Sequence, residues 1–88
     1  MGKVFVKFRV MPSDIDVDLN NIKEKILELR VEDVEVRDIA VKPIAFGLKA
    51  LAVLAIMPDE EGVIDKFAAE ISKIDGVENV EVEDMELL

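Results

Sequence analysis

The feature that most constrains the fold of this chain is a pattern that occurs twice. In each half, an apolar segment ends in Met-Pro and is followed by an acidic segment, and then by apolar residues at helical spacing. The two junctions read Val10-Met-Pro-Ser-Asp14 and Ile56-Met-Pro-Asp-Glu60. Proline has no N–H group to donate to a sheet, so it favours the end of a strand. The sequence therefore predicts two strand–helix units.

The spacing of apolar residues predicts the order strand, helix, strand, strand, helix, strand. Alternation from Val4 to Val10 is typical of a strand and places Phe5 and Phe8 on opposite faces. The first helix is predicted from Leu19, Ile22, Ile26 and Leu29, and the second helix from Ile64, Phe67, Ala68, Ile71 and Ile74. The second strand is predicted from Val34, Val36 and residues 39–41, and the third strand from residues 48–57. The last strand is predicted from Val77, Val80 and Val82 and should end near Met85.

The ends of the helices and the place of one strand follow from single residues. Asp18 can cap the first helix, because its carboxylate can accept hydrogen bonds from free N–H groups of the first turn. Gly76 is predicted to stop the second helix. The third strand is the most apolar, so we expect it in the interior of the sheet.

Two split βαβ units with right-handed crossovers give one arrangement. We expect an α+β, ferredoxin-like βαββαβ sandwich, with a four-stranded antiparallel sheet and two helices on one face. A chain of 88 residues can bury one core, so residues 1–88 are expected to form a single domain. This fold supports many functions and selects none of them.

The side-chain inventory leaves little room for catalysis. The chain contains no His, Cys, Thr, Tyr, Trp or Gln, and its only hydroxyls belong to Ser13 and Ser72. A serine nucleophile needs a base such as histidine, and thiolate metal sites need cysteine. We therefore predict that the chain has no catalytic residue, no metal site and no cofactor. We also predict that it is not an enzyme that works through its own side chains. Missing cysteines also exclude a heavy-metal chaperone.

The net charge of −9 indicates which partners fit the surface. Nucleic-acid binding relies on a positive surface, so direct nucleic-acid binding is not expected, including that of an RNA-recognition motif with this fold. A basic protein partner would be attracted, although acidity can also serve solubility alone. The apolar run from Ala50 to Met57 is too short to span a membrane, and no signal peptide precedes the first strand, so we expect a cytoplasmic protein.

One aromatic residue lies outside the periodic patterns. Phe46 stands between Pro43 and Gly47 in a bend that leads into the third strand, and the chain has only four phenylalanines. Such a ring can plug one end of the core or can insert into a partner. The residues alone leave both interpretations open, although a domain without catalytic side chains has to act through its surface.

The segment Pro43-Ile-Ala-Phe-Gly-Leu-Lys-Ala-Leu51 resembles the signature of the elongation factor 1-beta family. That pattern reads proline, aliphatic, small, aromatic, glycine, aliphatic, basic, variable, leucine. The length, the βαββαβ order and Asp59-Glu-Glu-Gly62 are also similar to the free-standing archaeal type. The resemblance implies a translation elongation factor that promotes exchange of GDP for GTP on elongation factor 1-alpha. It implies no covalent chemistry, and we expect a monomer in isolation.

The resemblance also implies which residues bind the GTPase. The aromatic residue packs into the second domain of the partner, and the glycine permits the bend. In eukaryotic members a penultimate lysine reaches the Mg²⁺ site of the partner, but this chain has a leucine there. The predicted partner-binding residues are Pro43, Ile44, Phe46, Gly47 and Lys49 in the bend, and Glu86, Leu87 and Leu88 in the tail.

A second class of function stays open on the residues alone. A ligand-sensing regulatory module or an oligomeric binding module can have the same ferredoxin-like fold. Sites of that kind form between subunits and leave little trace in one sequence. This alternative predicts an obligate dimer and stabilisation by a ligand.

Overall fold

The elements of the computed structural model follow the predicted order. The structure describes residues 2–29, 31 and 33–88. The elements are β1 (Lys3–Pro12), α1 (Leu19–Glu28), β2 (Glu35–Pro43), β3 (Lys49–Pro58), α2 (Val63–Ser72) and β4 (Val77–Leu87). The prediction of an α+β, ferredoxin-like βαββαβ fold is confirmed.

The strands form one antiparallel sheet in the order β2-β3-β1-β4. The apolar strand β3 is therefore interior, as the sequence predicts. Val6 of β1 lies opposite Ala55 of β3 on one side and opposite Met85 of β4 on the other. The register shifts between Lys7 and Phe8 on the β4 side, where the edge strand carries an extra residue.

Both helices pack on the same face of the sheet. The buried cluster joins alternate residues of β1 and β3 to residues of the helices, and it comprises Val4, Val6, Phe8, Val10, Ile22, Ile26, Ile39, Leu51, Val53, Ala55, Met57, Phe67 and Ile71. The rings of Phe8 and Phe67 meet edge to face at 5.4 Å between centroids. Phe5 lies half-buried on the opposite face of β1, which confirms the predicted alternation.

The ends of three elements show where the sequence signals were right and where they were not. Asp18 caps α1, and its Oδ1 accepts a hydrogen bond from the backbone N–H of Asn20 at 3.0 Å. The prediction that α2 reaches Ile74 is wrong, because the helix ends at Ser72. Ile74 still packs against the core, and Gly76 has a positive φ of 95° in the turn that follows. β4 continues to Leu87 rather than ending near Met85.

Candidate functional site

The bend between β2 and β3 is a tight turn with unusual backbone angles. The N–H of Leu48 donates to the carbonyl of Ala45 at 2.9 Å, so Phe46 and Gly47 are the two central residues. Their φ angles are +53° and +79°, which is the sign pattern of a type I′ turn. Glycine adopts this region freely, whereas an aromatic residue is strained there. The turn therefore holds Phe46 in a costly conformation.

The side chain of Phe46 is fully exposed, at 102% of its reference area. The alternative that Phe46 plugs one end of the core is therefore wrong for this structure. A strained backbone that presents an apolar ring to water contributes nothing to the stability of the fold. Strain of this kind is concentrated at functional sites. The turn is thus a candidate for contact with another molecule.

The other predicted residues of the bend surround Phe46. Pro43 ends β2 directly opposite Lys49, which begins β3. Pro43, Ile44, Gly47 and Lys49 are all exposed. The N–H of Ile44 donates to the carbonyl of Leu48 at 2.8 Å, and this bond fixes the base of the turn. Lys49 forms no ion pair with any residue that the structure describes.

Two shallow clefts of opposite charge flank the turn. The cleft on the helix side has a volume of about 350 Å³ and is lined by Pro12, Asp14, Ile15, Val17, Asp18, Leu19, Asn20, Val41, Gly47 and Lys49. The cleft on the open face of the sheet is equally large, about 350 Å³, and is lined by Lys7, Arg9, Lys42, Pro43, Ile44, Ala50, Leu51, Ala52 and Glu83. The first has two aspartates for one lysine, and the second has three basic residues for one glutamate. A partner seated on the turn would therefore meet different charges on its two sides.

Arg9 on the open face is paired with an acidic residue of the neighbouring strand. It forms an ion pair with Glu81 of β4 through its terminal nitrogen, while its buried Nε has no hydrogen-bond partner among the residues that the structure describes. The sequence reasoning did not single out the basic residues of this face. Their spacing along β1 gave a signal, since Lys7 and Arg9 share the face opposite the core.

The C-terminal residues form part of the sheet rather than a free tail. Glu86 lies opposite Phe5, and Leu87 lies opposite Val4. The N–H of Leu88 donates to the carbonyl of Lys3 at 2.9 Å. Leu87 is 74% exposed and Leu88 is 68% exposed. Backbone pairing therefore holds two apolar side chains in water at the edge of the sheet.

The structure separates the predicted site residues into two groups at opposite ends of the sheet. Lys49 begins β3 next to the bend, whereas Leu87 is level with Met57 near the other end of that strand. At about 3.3 Å per residue, roughly 25 Å of sheet lies between Lys49 and Leu87. The molecule is 41 Å long and 22 Å by 18 Å across. The two groups form one site only for a partner that extends along this length.

The described residues offer little for metal or acid–base chemistry. No three of their acidic side chains converge into a group that could hold a metal ion. The pKa of the Glu70 carboxyl is lowered by a hydrogen bond from Lys73 and by the charge of that lysine. Lys73 is 74% exposed and Glu70 is 35% exposed at the end of α2, so solvent screens the attraction between the two charges.

Comparison with known proteins decides the family. The model of the EF-1 guanine nucleotide exchange domain matches residues 5–88. The chain belongs to this family. The exchange domain includes both ends of the sheet, because the match covers the bend and the C-terminal residues. The prediction of a guanine-nucleotide exchange domain of a translation elongation factor is confirmed, and the regulatory alternative is not favoured.

Relatives of the exchange domain match over nearly their whole length. Elongation factor 1-beta of Archaeoglobus fulgidus is 61% identical over 88 residues, which is 100% of this chain and 100% of that protein. Elongation factor 1-beta of Staphylothermus marinus is 43% identical over 84 residues, covering 94% of this chain and 93% of that protein. That of Methanosarcina barkeri is 44% identical over 86 residues, with 97% of each chain covered.

Solved structures with low sequence identity share the fold of the exchange domain. The ACT domain from GTP pyrophosphokinase of Chlorobium tepidum has a TM-score of 0.60 at 20% identity and covers 91% of this chain and 97% of its own. The C-terminal domain of the MgtC protein from Mycobacterium tuberculosis has a TM-score of 0.64 at 15% identity and covers 98% of this chain and 87% of its own. Among the described residues, no helix is both long and apolar enough to cross a membrane.

Proposed function

We propose that residues 1–88 act as a single exchange-factor domain that binds elongation factor 1-alpha and promotes exchange of GDP for GTP. The observation that carries this proposal is the geometry of Phe46. The ring is 102% exposed on a strained turn, at the aromatic position of the family signature. A partner that buries the ring gains its apolar area without having to order the turn.

The proposed activity requires no covalent step. A factor that binds the nucleotide-free GTPase more tightly than the GDP-bound form weakens GDP binding by the same factor. The GTPase holds GDP through Mg²⁺ and a phosphate-binding loop, so disturbing that region releases the nucleotide. The exchange domain then needs surface complementarity rather than a nucleophile, a metal or a cofactor. This requirement suits a chain without His or Cys.

The two ends of the sheet have different roles in the proposed complex. Phe46 is the anchor in one domain of the GTPase, supported by the neighbouring bend residues. The edge formed by Glu86, Leu87 and Leu88 lies against the domain that holds Mg²⁺. Because leucine occupies the penultimate position, this edge acts without a lysine. Two apolar side chains press on the region, or the carboxylate of Glu86 disturbs the coordination of the metal.

The remaining properties follow from the surface. A net charge of −9 attracts a basic protein surface and repels nucleic acid, so the GTPase is the direct partner. The exchange domain acts as a monomer until it meets the GTPase. It works in the cytoplasm, where elongation takes place, and does not bind a membrane.

The experiment that tests this proposal is release of fluorescently labelled GDP from elongation factor 1-alpha, chased with unlabelled GDP. We expect the release rate to rise with the concentration of the exchange domain. A Phe46→Ala variant should need a concentration about thirtyfold higher for the same rate, the equivalent of about 2 kcal/mol for a hot-spot residue. An unchanged release rate at a stoichiometric excess of the wild-type protein would refute the proposal.

A further inference from the structure

A second apolar side chain is presented to water beside the bend. Ile15 lies in the loop between β1 and α1 and is 63% exposed. Isolated apolar residues on a surface are common and need no explanation. Ile15 is not isolated, however, because Val41, Ile44 and Phe46 are exposed at the same end of the molecule, by 46%, 43% and 102%. Exposed apolar residues grouped in this way indicate a contact surface.

Ile15 and the bend belong to one continuous surface. Ile15 lines the helix-side cleft of about 350 Å³ together with Val41, Gly47 and Lys49. Gly47 is the neighbour of Phe46 in the turn, so a partner that covers Phe46 also reaches the mouth of this cleft. The cleft is open to solvent and has room for a side chain of the partner.

The loop that carries Ile15 is fixed in place. The N–H of Ser13 donates to the carbonyl of Gly76 at 2.8 Å, and the N–H of Val17 donates to the carbonyl of Asp14 at 3.3 Å. Val17 packs closely over Gly76. A Cβ added at Gly76 would lie only 2.9 Å from Cγ1 of Val17. Binding to an already ordered loop avoids much of the entropy that ordering would cost. These contacts hold the loop on both sides of Ile15.

The charges around Ile15 indicate the chemistry of the surface that would cover it. Asp14, Asp16 and Asp18 alternate with the apolar residues of the loop, and no basic residue lies between positions 13 and 18. The carboxylates of Asp14 and Asp18 accept backbone hydrogen bonds from Asp16, Asn20 and Asn21, which hold them in position. Fixed carboxylates around an apolar side chain are complementary to an apolar surface bordered by basic side chains.

We propose that the loop of residues 13–18 is a second part of the docking surface for the GTPase, with Ile15 as its anchor. The occupant is an apolar patch of the GTPase bordered by lysine or arginine. This inference rests on the proposed function and extends it, because Ile15 lies outside the bend and the C-terminal edge. It places apolar anchors on both Phe46 and Ile15 at one end of the sheet.

The test compares Ile15→Glu and Ile15→Arg with the matched control Leu27→Arg. Leu27 is 50% exposed in α1 and lines a different cleft, with Val36 and Ile39. For each variant, thermal unfolding checks the fold, and affinity for nucleotide-free elongation factor 1-alpha and the rate of GDP release are measured. We expect Ile15→Glu to bind about tenfold more weakly and Ile15→Arg about a hundredfold more weakly, while Leu27→Arg stays within about twofold of wild type.

Each other outcome overturns a stated part of the inference. If both Ile15 variants bind with wild-type affinity while the wild-type protein accelerates GDP release from the GTPase, the loop is not part of the docking surface. The proposed function is then unaffected. Tighter binding of Ile15→Arg than of Ile15→Glu contradicts the basic border. A wild-type dimer that Ile15→Arg dissociates would make a second copy the occupant. If the wild-type protein does not accelerate GDP release from elongation factor 1-alpha, both the inference and the proposed function are refuted.

Discussion

Phe46 and Leu87 lie at opposite ends of the same sheet, with roughly 25 Å of strand between the bend and the C-terminal edge at about 3.3 Å per residue. Both side chains are exposed, at 102% and 74%. The fold holds each in place by backbone hydrogen bonds, through the turn at Phe46 and through pairing of Leu87 with Val4. A partner that uses both residues must extend along most of the 41 Å length of the molecule.

The first prediction concerns the C-terminal edge. Deleting residues 86–88 removes Leu87 and Leu88 together with the sheet pairing of Glu86 and Leu87. We expect GDP release at saturating exchange domain to slow by about tenfold or more, the equivalent of about 1.4 kcal/mol. Stopped-flow fluorescence of labelled GDP measures this rate.

Point variants separate the side chains of the edge from its pairing. Leu87→Ser keeps the backbone bonds and removes the apolar contact, and Glu86→Gln keeps the shape and removes the charge. If the leucine acts as a wedge, Leu87→Ser reproduces the defect of the deletion, and if the carboxylate acts, Glu86→Gln does so. If the deletion variant folds and stimulates GDP release from the GTPase as strongly as wild type does, the edge has no role in exchange.

The second prediction separates stability from binding at Phe46. Asparagine tolerates the left-handed region better than an aromatic residue does, so Phe46→Asn should relieve strain at φ +53°. We expect the free energy of unfolding to rise by about 1 kcal/mol, which shifts Tm upward by about 4–8 °C for a domain of this size. Affinity for the nucleotide-free GTPase should fall by about 2 kcal/mol.

Phe46→Ala is the matched control for this substitution. It also removes the ring but keeps a residue that is strained at positive φ. It should therefore lose affinity by a similar amount without a gain in Tm. Scanning calorimetry and titration calorimetry on the same preparations measure both quantities. Equal Tm values for the wild type and Phe46→Asn would show that the turn stores no strain.

The third prediction concerns the contact that fixes the loop of residues 13–18. Gly76 has φ +95°, and a Cβ there would lie 2.9 Å from Cγ1 of Val17. Gly76→Ala should therefore lower the free energy of unfolding by about 1–3 kcal/mol, since backbone strain and a steric clash act together. Gly2→Ala is the control, because no atom of the described, non-adjacent residues lies within 4 Å of the position of its Cβ. Urea titration of both variants measures the difference, and similar midpoints would contradict the assignment.

The fold could be predicted because each element carries a local signal. Asp18 marks the start of α1, Gly76 marks the turn after α2, and the apolar run of β3 marks the interior strand. The end of α2 carries a weaker local signal in the sequence. Ile74 continues the apolar period of the helix and packs against the core, yet its N–H bonds to the carbonyl of Ile71 in a tightened last turn. The spacing of apolar residues indicates which residues are buried, and here the buried residues continue past the last helical residue.

The candidate site could be predicted only in part. The signature identified the bend, but exposure of Phe46 depends on how the turn meets the sheet, and sequence spacing carries no record of that. Ile15 and Val17 occupy equivalent positions in an alternating Asp-apolar loop. Val17 packs against the core beside Gly76, which has no Cβ to clash with it, whereas Ile15 is 63% exposed. The distinction depends on a contact between residues far apart in the chain.

The central claim is that the exchange domain prefers the nucleotide-free state of the GTPase. The most direct measurement is its Kd for elongation factor 1-alpha without nucleotide and with saturating Mg²⁺ and GDP, by titration calorimetry at one salt concentration. The proposed function predicts much tighter binding to the nucleotide-free form, by the same factor by which the exchange domain weakens GDP binding. Equal Kd values for the two forms would contradict it, because a ligand with equal affinity for both states shifts no equilibrium.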